Sequence, residues 1–523
     1  MKSIFDGIKD TKGLTYNYEG HIAWQKPLKE LTQALLMTGS FGNTFYVDQT
    51  ANLKLAIEVF NKAAQQHPKW FKDTIVYARN EGFMKSMPIL ALAILRQYNT
   101  ETFHEIFDKV ILTGKDLDTF MSMNRALGLG FGRSTKRAIE KWISTHTTEY
   151  YAIKYRRQIA DAIRLTHYKS DNPIYHYVVA YRKKVDTNKL VQAYTYKQIA
   201  ATEAVRKLID SKMWDAAAKL IEGYRLDPAT VIGMGTPKKD ENGIQYWISL
   251  MRQMGTGMLI GYLSKLIRTG AINEETLPWL QERLSAQAIL RAKIHPHRLL
   301  TTYLALEDID YPYIVWNRPP QYNEENAPMR KHVMNILKDR FIEMANNIKS
   351  EGKWRGKYVI APDISPSMTS PIGTTIPSFV AGAFAGMLSA IADKSIILPW
   401  HTEVELDLLK DTSDPFQVAL DIATAPGYGT FMETPVKYMI KKHIQADYAI
   451  FITDSMEWGE GWLKYWRQYK RKISPKTKAV LIRVDPYPTN PYPETVKEEL
   501  DIYTIHGWSP AVLQWIEEYV LAA

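Results

Sequence analysis

From about residue 25 to residue 345 the apolar positions recur at intervals of three and four, the spacing that gives a helix one buried face. Leu259, Leu263 and Leu266 share such a face in a segment closed by Gly270, and Leu277, Leu280, Leu284 and Ala288 share one in the next. Helices are likewise predicted over Pro88–Tyr98, Thr135–Ile143, Gln198–Asp210 and Trp214–Tyr224. The pattern predicts stacked antiparallel helices without a strict repeat length. After Glu351 it changes to short β-rich runs: Lys357–Ala361, Ser395–Leu398, Tyr448–Thr453 and Lys478–Val484. Continuous apolar runs of this length suit parallel strands buried on both faces. Helices are predicted between and after them, at Pro377–Ala392, at Thr434–Ile444 and beyond Ser509-Pro510, where Ser509 can cap and Pro510 can open the first turn. The expectation is a multidomain chain: residues 1–350 form an all-α helical array, and residues 351–523 an α/β doubly wound domain. The polar stretch around Gly352 and Gly356 forms the boundary.

Composition sharpens this. The chain has 523 residues, 46% hydrophobic and 23% charged, with a mean hydropathy of −0.28, the profile of a folded protein with a large core. It has no cysteine, which excludes disulfides, thiol nucleophiles and cysteine-held metals, so a metal would need oxygen or imidazole ligands. No run approaches the ~18 apolar residues of a spanning helix and Met1–Asp10 lacks a signal-peptide pattern, so a cytoplasmic protein with no membrane partner is expected. Charge is uneven. From Glu351 onward 17 Lys and Arg face 21 Asp and Glu, whereas before it 49 face 35. The basic excess lies wholly in the helical part, which favours a polyanionic partner, although a solvated basic surface would show the same bias.

Two constellations carry candidate chemistry. Asp363-Ile-Ser365-Pro-Ser367 follows the first strand of the α/β part, Thr430 lies in the Gly427-Tyr-Gly429-Thr430 loop before a helix, and Asp454 ends the strand Tyr448–Thr453. Ligands of open α/β sheets sit at the carboxyl ends of strands. Two carboxylates and three hydroxyls there form a hard-oxygen set suited to Mg²⁺ or Mn²⁺. Only two of the groups are charged, so such an ion could accept an acidic residue from a protein partner. The plainer reading is that the serines cap a helix and Asp454 merely ends a strand. In the helical part, Lys154, Arg156 and Arg157 precede Arg164, His167 and Lys169, with Tyr155 and Tyr168 between them. If those segments are helical, a spacing of three puts Lys154 with Arg157, and Arg164 with His167. Cations with interleaved rings suit phosphates and unpaired bases, but equally a solvated face.

The segment from Tyr358 to Tyr519 resembles the von Willebrand A domain with its metal-ion-dependent adhesion site: Asp363, Ser365 and Ser367 match its Asp-x-Ser-x-Ser, Thr430 its threonine and Asp454 its distal aspartate. Pro366 departs from the pattern by fixing φ between the serines. The helical part resembles the TROVE module of the Ro ribonucleoproteins, the autoantigens and their bacterial orthologues. The resemblance rests on Ala23–Gln25, Gly39–Tyr46, Leu90–Ile94, Gly130–Ile139, Ile163–Lys169 and Lys293–His297, in the family's order.

That resemblance implies a ring of HEAT-like repeats closed by the von Willebrand A domain. It also implies a non-enzymatic role in RNA quality control. Y-like noncoding RNA would lie on the basic outer surface, and single-stranded 3′ ends of misfolded RNAs would enter a central hole, with an exoribonuclease as a further partner. Lys154, Arg156, Arg157 and His167 match the family's Y-RNA-contacting segment, though the joint between Tyr155 and Arg164 is shorter, without Gly-Trp-Ser.

Three other features have rival readings. Gly128-Leu-Gly130-Phe-Gly132-Arg133 looks superficially like a phosphate loop, but no strand precedes it. It is expected to be a helix joint before a helix capped by Ser134, with Arg133, Lys136 and Arg137 facing RNA. His295 and His297 lack a third ligand nearby and are expected to pack. A metal-dependent adhesion scaffold and a Mg²⁺-dependent phosphohydrolase using Asp363 and Asp454 are the rival functions; the second lacks a nucleophile.

Overall fold

A computed structural model describes residues 12–238, 241–307, 326–349, 352–457 and 461–522. The apolar runs of the C-terminal third form a wholly parallel five-stranded sheet. Its strands are β3 (Lys357–Pro362), β4 (Lys394–Ile397), β5 (Tyr448–Thr453), β6 (Lys478–Arg483) and β8 (Ile502–His506), in the order β4-β3-β5-β6-β8. β4 adds to one side of β3 and β5 to the other, so the chain winds in both directions from β3. The loops leaving the carboxyl ends of β3 and β5 therefore diverge from adjacent positions, the topological switch point of such a sheet. The helix Pro377–Ile391 lies against Pro415–Ala423 at a separation only glycine allows: a Cβ on Gly382 or Gly386 would come within 2.3 Å of the carbonyl oxygens of Ala419 or Pro415.

Before this domain the regular elements among the described residues from Leu28 to Lys349 are all helices, with neighbours in sequence mostly packed together. Trp214–Tyr224 is a helix as predicted, and Ser86–Leu95, Arg133–His146 and Lys197–Asp210 match their predictions within three residues at each end. Three expectations need correction. The segment around Leu277–Ala288 is two helices, Leu277–Arg283 and Ala286–Arg291, because Ser285 leaves the helical conformation and its hydroxyl caps the second through Ala288 N. The helix at Arg133 is capped by Gly132 rather than Ser134, whose hydroxyl instead meets His104 at 2.9 Å. Ser509 likewise makes no cap; the last helix, Ala511–Ile516, starts from Pro510.

Sequence reading did not anticipate how the helical array meets the C-terminal domain. β1 (Leu14–Tyr16) and β2 (Ile22–Gln25) form a hairpin whose second strand pairs antiparallel with β7 (Thr489–Asn490). At the array's other end, Ala327–Lys349 packs on Pro377–Ile391. Both ends of the array thus rest on one α/β domain. A third meeting point is His295, which is half-buried, lies 5.5 Å from Phe83, stacks at 5.2 Å on His297 and bonds the backbone of Trp508. The two imidazoles pack as expected, and among the described residues no cluster of three or more metal-binding side chains includes them.

Burial pulls the His295 pKa down to about 4. A histidine held neutral in the fold but protonated near its ordinary value when unfolded costs stability as pH falls from about 6.5 towards 4. His295→Gln should therefore flatten the pH dependence of urea unfolding over that window by roughly 3 kcal/mol relative to wild type. Taken as a difference, the measurement cancels the other titrating groups. Parallel curves would mean that His295 accepts its proton without unfolding.

Candidate functional site

The Asp-x-Ser-x-Ser loop leaves β3 at the switch point. Asp363 N donates to Ile452 O on β5, while Ser365 N donates to Asp363 Oδ1 at 2.8 Å and Thr453 Oγ1 to Asp363 Oδ2 at 2.6 Å. The aspartate is clamped by its own loop and by the next strand. Pro366 opens a short 3₁₀ turn, Pro366–Thr369, where a missing N–H costs nothing. Ser365 makes no capping bond to that turn; its hydroxyl lies 3.2 Å from that of Ser367. The serines are therefore turned towards each other rather than used as caps.

The second loop is brought in by Gly427, where a Cβ would sit 1.5 Å from Ile364 O, so no other residue allows this approach. Thr430, three residues further on, is buried, 5% exposed. Asp454 follows β5 and accepts from Met456 N at 3.2 Å, with the Ser367 hydroxyl also bonding its carboxylate. Asp363, Ser365, Ser367 and Asp454 are thus brought to one buried place, and the loop that carries Thr430 touches it at Gly427.

Its electrostatics are unbalanced. Burial pushes both carboxyls above the usual carboxylate range, and the charge of Asp363, then of Asp485, pushes Asp454 further. Among the described residues no Lys, Arg or His forms an ion pair with either carboxylate; the guanidinium of Arg483 donates to the Asp454 backbone carbonyl at 3.2 Å and is held by Asp485. Two buried carboxylates and three hydroxyls have the donor chemistry that a hard divalent cation would meet. Among the described residues no three or more His, Asp or Glu side chains converge on a metal site, here or elsewhere, so a cation in this place would rest on two carboxylates and the hydroxyls.

Residues the sequence reading did not assign to this site surround it. Thr453 holds Asp363, and Ser455, next to Asp454, is buried with φ of 53°. Tyr46, from the helical array, has its hydroxyl in reach of Ser367 and Glu19. The Gly39–Tyr46 segment stood out in the sequence, but nothing local showed that it crosses to the other domain.

The basic candidates divide into two groups. Lys154 ends the helix Glu149–Lys154, Tyr155 breaks the chain direction, and Arg156 begins the helix Arg156–Thr166. Lys154 and Arg157 therefore do not share a helix face, and His167, at φ of 62°, is the left-handed cap after Arg164's helix rather than part of it. The break follows from Tyr155, whose ring packs so close to Gly114 that a Cβ there would come within 2.5 Å.

Lys154 is held inward by Asp227 at 3.0 Å and the Tyr150 hydroxyl at 2.8 Å. Arg156 stacks 3.6 Å over the Tyr177 ring and donates to Tyr177 O. These two already have partners within the fold, while their side chains stay 29% and 21% exposed. Arg157, Arg164, His167 and Lys169 are exposed, as are Arg133 and Arg137, with Lys136 half-buried on the adjoining helix Arg133–His146. Among the described residues none of these seven makes an ion pair. A second basic and aromatic stretch was not singled out: Tyr181, Lys183, Lys184, Lys189 and Tyr194 are exposed. Burial, then Lys189 and Lys183, lowers His176 on the helix Pro173–Val179, which packs against both helices of the first group. The consecutive Tyr181-Arg-Lys-Lys was the available signal.

No helix among the described residues is long and apolar enough to cross a membrane. No family model matches the chain. In sequence it is 24% identical over 387 residues to RNA-binding protein RO60 of Caenorhabditis elegans, an alignment covering 63% of this chain. The chain spans about half, 56%, of that relative's length. In fold it is similar to the RO (RSR) protein of Deinococcus radiodurans, with a TM-score of 0.61 and 18% identity, covering 95% of this chain and 100% of the other. By sequence over part of its length and by fold over nearly all of it, this chain is similar to the Ro proteins, the family its motifs point to.

Proposed function

We propose that this chain is an RNA-binding protein of the Ro type and not an enzyme. The observation that carries the reading is the row of exposed cations without ion-pair partners, Arg157, Arg164, His167 and Lys169, beside Arg133, Lys136 and Arg137 on the packed neighbouring helix. Unpaired basic side chains on one surface are free to release phosphate counterions. The sequence relative whose name records RNA binding supports the same reading. In this proposal a Y-like noncoding RNA lies across these helices, single-stranded 3′ ends of misfolded RNAs enter a hole in the helical ring, and an exoribonuclease is a candidate partner in cytoplasmic RNA quality control. Asp363, Ser365, Ser367, Thr430 and Asp454 would hold Mg²⁺ or Mn²⁺ as a ligand site. The Asp363 motif lacks a second aspartate and the site offers two carboxylates, too few for a two-metal centre, which disfavours the phosphohydrolase.

Arg157→Ala should lower affinity for a Y-like stem-loop RNA roughly tenfold while changing that for a generic single strand less. Filter or fluorescence binding with both RNAs checks this. Equal losses on the two RNAs would reduce the arginine to nonspecific charge and sink the assignment.

A further inference from the structure

The five candidate ligands of the divalent cation are each 5% exposed or less. An adhesion-type site would need an open face to receive an acidic group, and here part of that face is covered by the chain itself. Tyr46 reaches across from the helical array, its hydroxyl near Ser367 and Glu19, and the charge of Asp454 acts on both the Tyr46 and Tyr487 phenols. The Tyr46 ring stacks on Tyr18 at 6.0 Å, and Tyr487 meets both edge-on at 5.5 Å. Tyr487, on the chain between β6 and β7, also bonds Thr44 and the Tyr46 backbone. Further along the same segment, Ser40 and Gly42 lie on the loop after the Asp-x-Ser-x-Ser turn: a Cβ on Gly373 would be 3.1 Å from that of Ser40, and one on Gly42 3.9 Å from the Gly373 backbone.

The covering segment is built to move. It contains no helix or strand and holds one internal turn, Thr44 N to Val47 O. It lies between two well-formed helices, Leu28–Thr38 and Gln49–Gln66; the side chain of Asp48 caps the second, whose first turn also meets the segment where Gln49 N donates to Asn43 Oδ1 at 2.7 Å and Asn52 Nδ2 to Gly42 O and Val47 O at 3.2 Å. Lifting it would break aromatic contacts and side-chain hydrogen bonds but no regular backbone ladder, so both helices can stay folded. Phe45 and Tyr18 are half-exposed at its outer edge, and Tyr428, 69% exposed, stands on the Gly427–Thr430 loop.

We propose that Gly39–Val47 is a built-in cap on the divalent-cation pocket, latched by Tyr46, so that a carboxylate-bearing partner reaches the cation only when this segment lifts. The inference rests on the proposed metal site. The cap presents a ring and a hydroxyl, not a carboxylate, so it shields the ion and leaves the place of an acidic ligand to a partner. The helical array and the metal pocket are then coupled: whatever displaces the segment from the array side exposes the ion.

The test uses the full chain, Mn²⁺ as the probe cation and acetate as the probe carboxylate. Release of bound Mn²⁺ into excess chelator should be roughly tenfold faster or more in Tyr46→Ala than in wild type, since a hydrogen bond and ring contacts are lost together. Acetate should change the water relaxation of bound Mn²⁺ in that variant and little in wild type. Tyr46→Phe, which keeps the rings, should lie between. The chain has no cysteine, so Ser40→Cys with Gly373→Cys gives a lock once the loops part by several tenths of an ångström, since the two Cβ atoms would start 3.1 Å apart with Gly373 at φ of 65°, against the about 3.8 Å of a disulfide. Oxidation should slow release and reduction restore it. Equal release rates in wild type, both Tyr46 variants and the oxidised pair would overturn the cap. Asp363→Ala separates the two claims: if Mn²⁺ still binds there, the metal site itself has been misassigned.

Discussion

Affinity for a Y-like RNA should fall about a thousandfold between 50 and 200 mM monovalent salt. Lys136 and the five exposed Arg and Lys residues of the two adjoining helices and the loop after them could each neutralise a phosphate. Six such contacts on a duplex stem give a slope near −5 in log affinity against log salt, which over a fourfold change in salt is about 10³. Lys154 and Arg156 are left out of the count, since Asp227 and the Tyr177 ring already hold them. The slope should therefore drop by about one unit in Arg157→Ala and stay unchanged in Lys154→Ala. A binding isotherm series at four salt concentrations measures this. A slope shallower than −2, or a Lys154→Ala effect as large as that of Arg157→Ala, would remove the phosphate-gripping surface from these helices.

Which of these cations is free was hidden from the sequence for a physical reason. Lys154, Arg156 and Arg157 are equally basic on paper, and only the break at Tyr155 and the distant partners Asp227, Tyr177 and Glu203 separate the free one from the engaged pair. The α/β half was more legible because its signals are local. Strands buried on both faces are continuous apolar runs, so β3, β5 and β6 could be read within a residue at each end, and strand order then put Asp363 and Asp454 at adjacent carboxyl ends. The hairpin β1–β2 was not legible. It is three and four residues long, and its outer partner, β7, lies more than 460 residues away. Intrinsic strand preference over three residues is too weak to stand out, and it is the tertiary pairing that fixes the conformation. Tyr46 was missed on the same ground.

That hairpin ends in the most charged part of the interior, where removing one carboxylate should have the largest effect on stability of any single change proposed. Arg483, fully buried, donates through Nε and Nη2 to the two oxygens of Asp485 at 2.8 and 2.9 Å and through Nη1 to Asn490 Oδ1 at 2.9 Å. Lys26, just past β2, approaches Asp485 at 3.5 Å and donates to Tyr487 O. Burial, then the charge of Arg483, pulls Lys26 down to about 8, with Asp485 and Glu30 resisting. Asp485 is thus the shared counter-ion of two cations that cannot reach water. Asp485→Ala would remove the one carboxylate bonded to Arg483 and leave both cations only the charge of Glu30, and is expected to cost about 3 kcal/mol, against the 1 kcal/mol typical of a substitution. Replacing Lys26 by Met at the same time should recover part of the loss, because it removes one of the stranded charges; chemical denaturation of the two variants decides it. A loss below 1 kcal/mol for Asp485→Ala would show that water enters this interface. The consequence would reach the metal pocket, because Arg483 Nη2 also donates to the backbone carbonyl of Asp454 and Tyr487, whose N–H Asp485 accepts, carries the segment that Tyr46 latches. The ionic knot that fastens the first strands to the last thus fixes both the floor and the cover of the pocket.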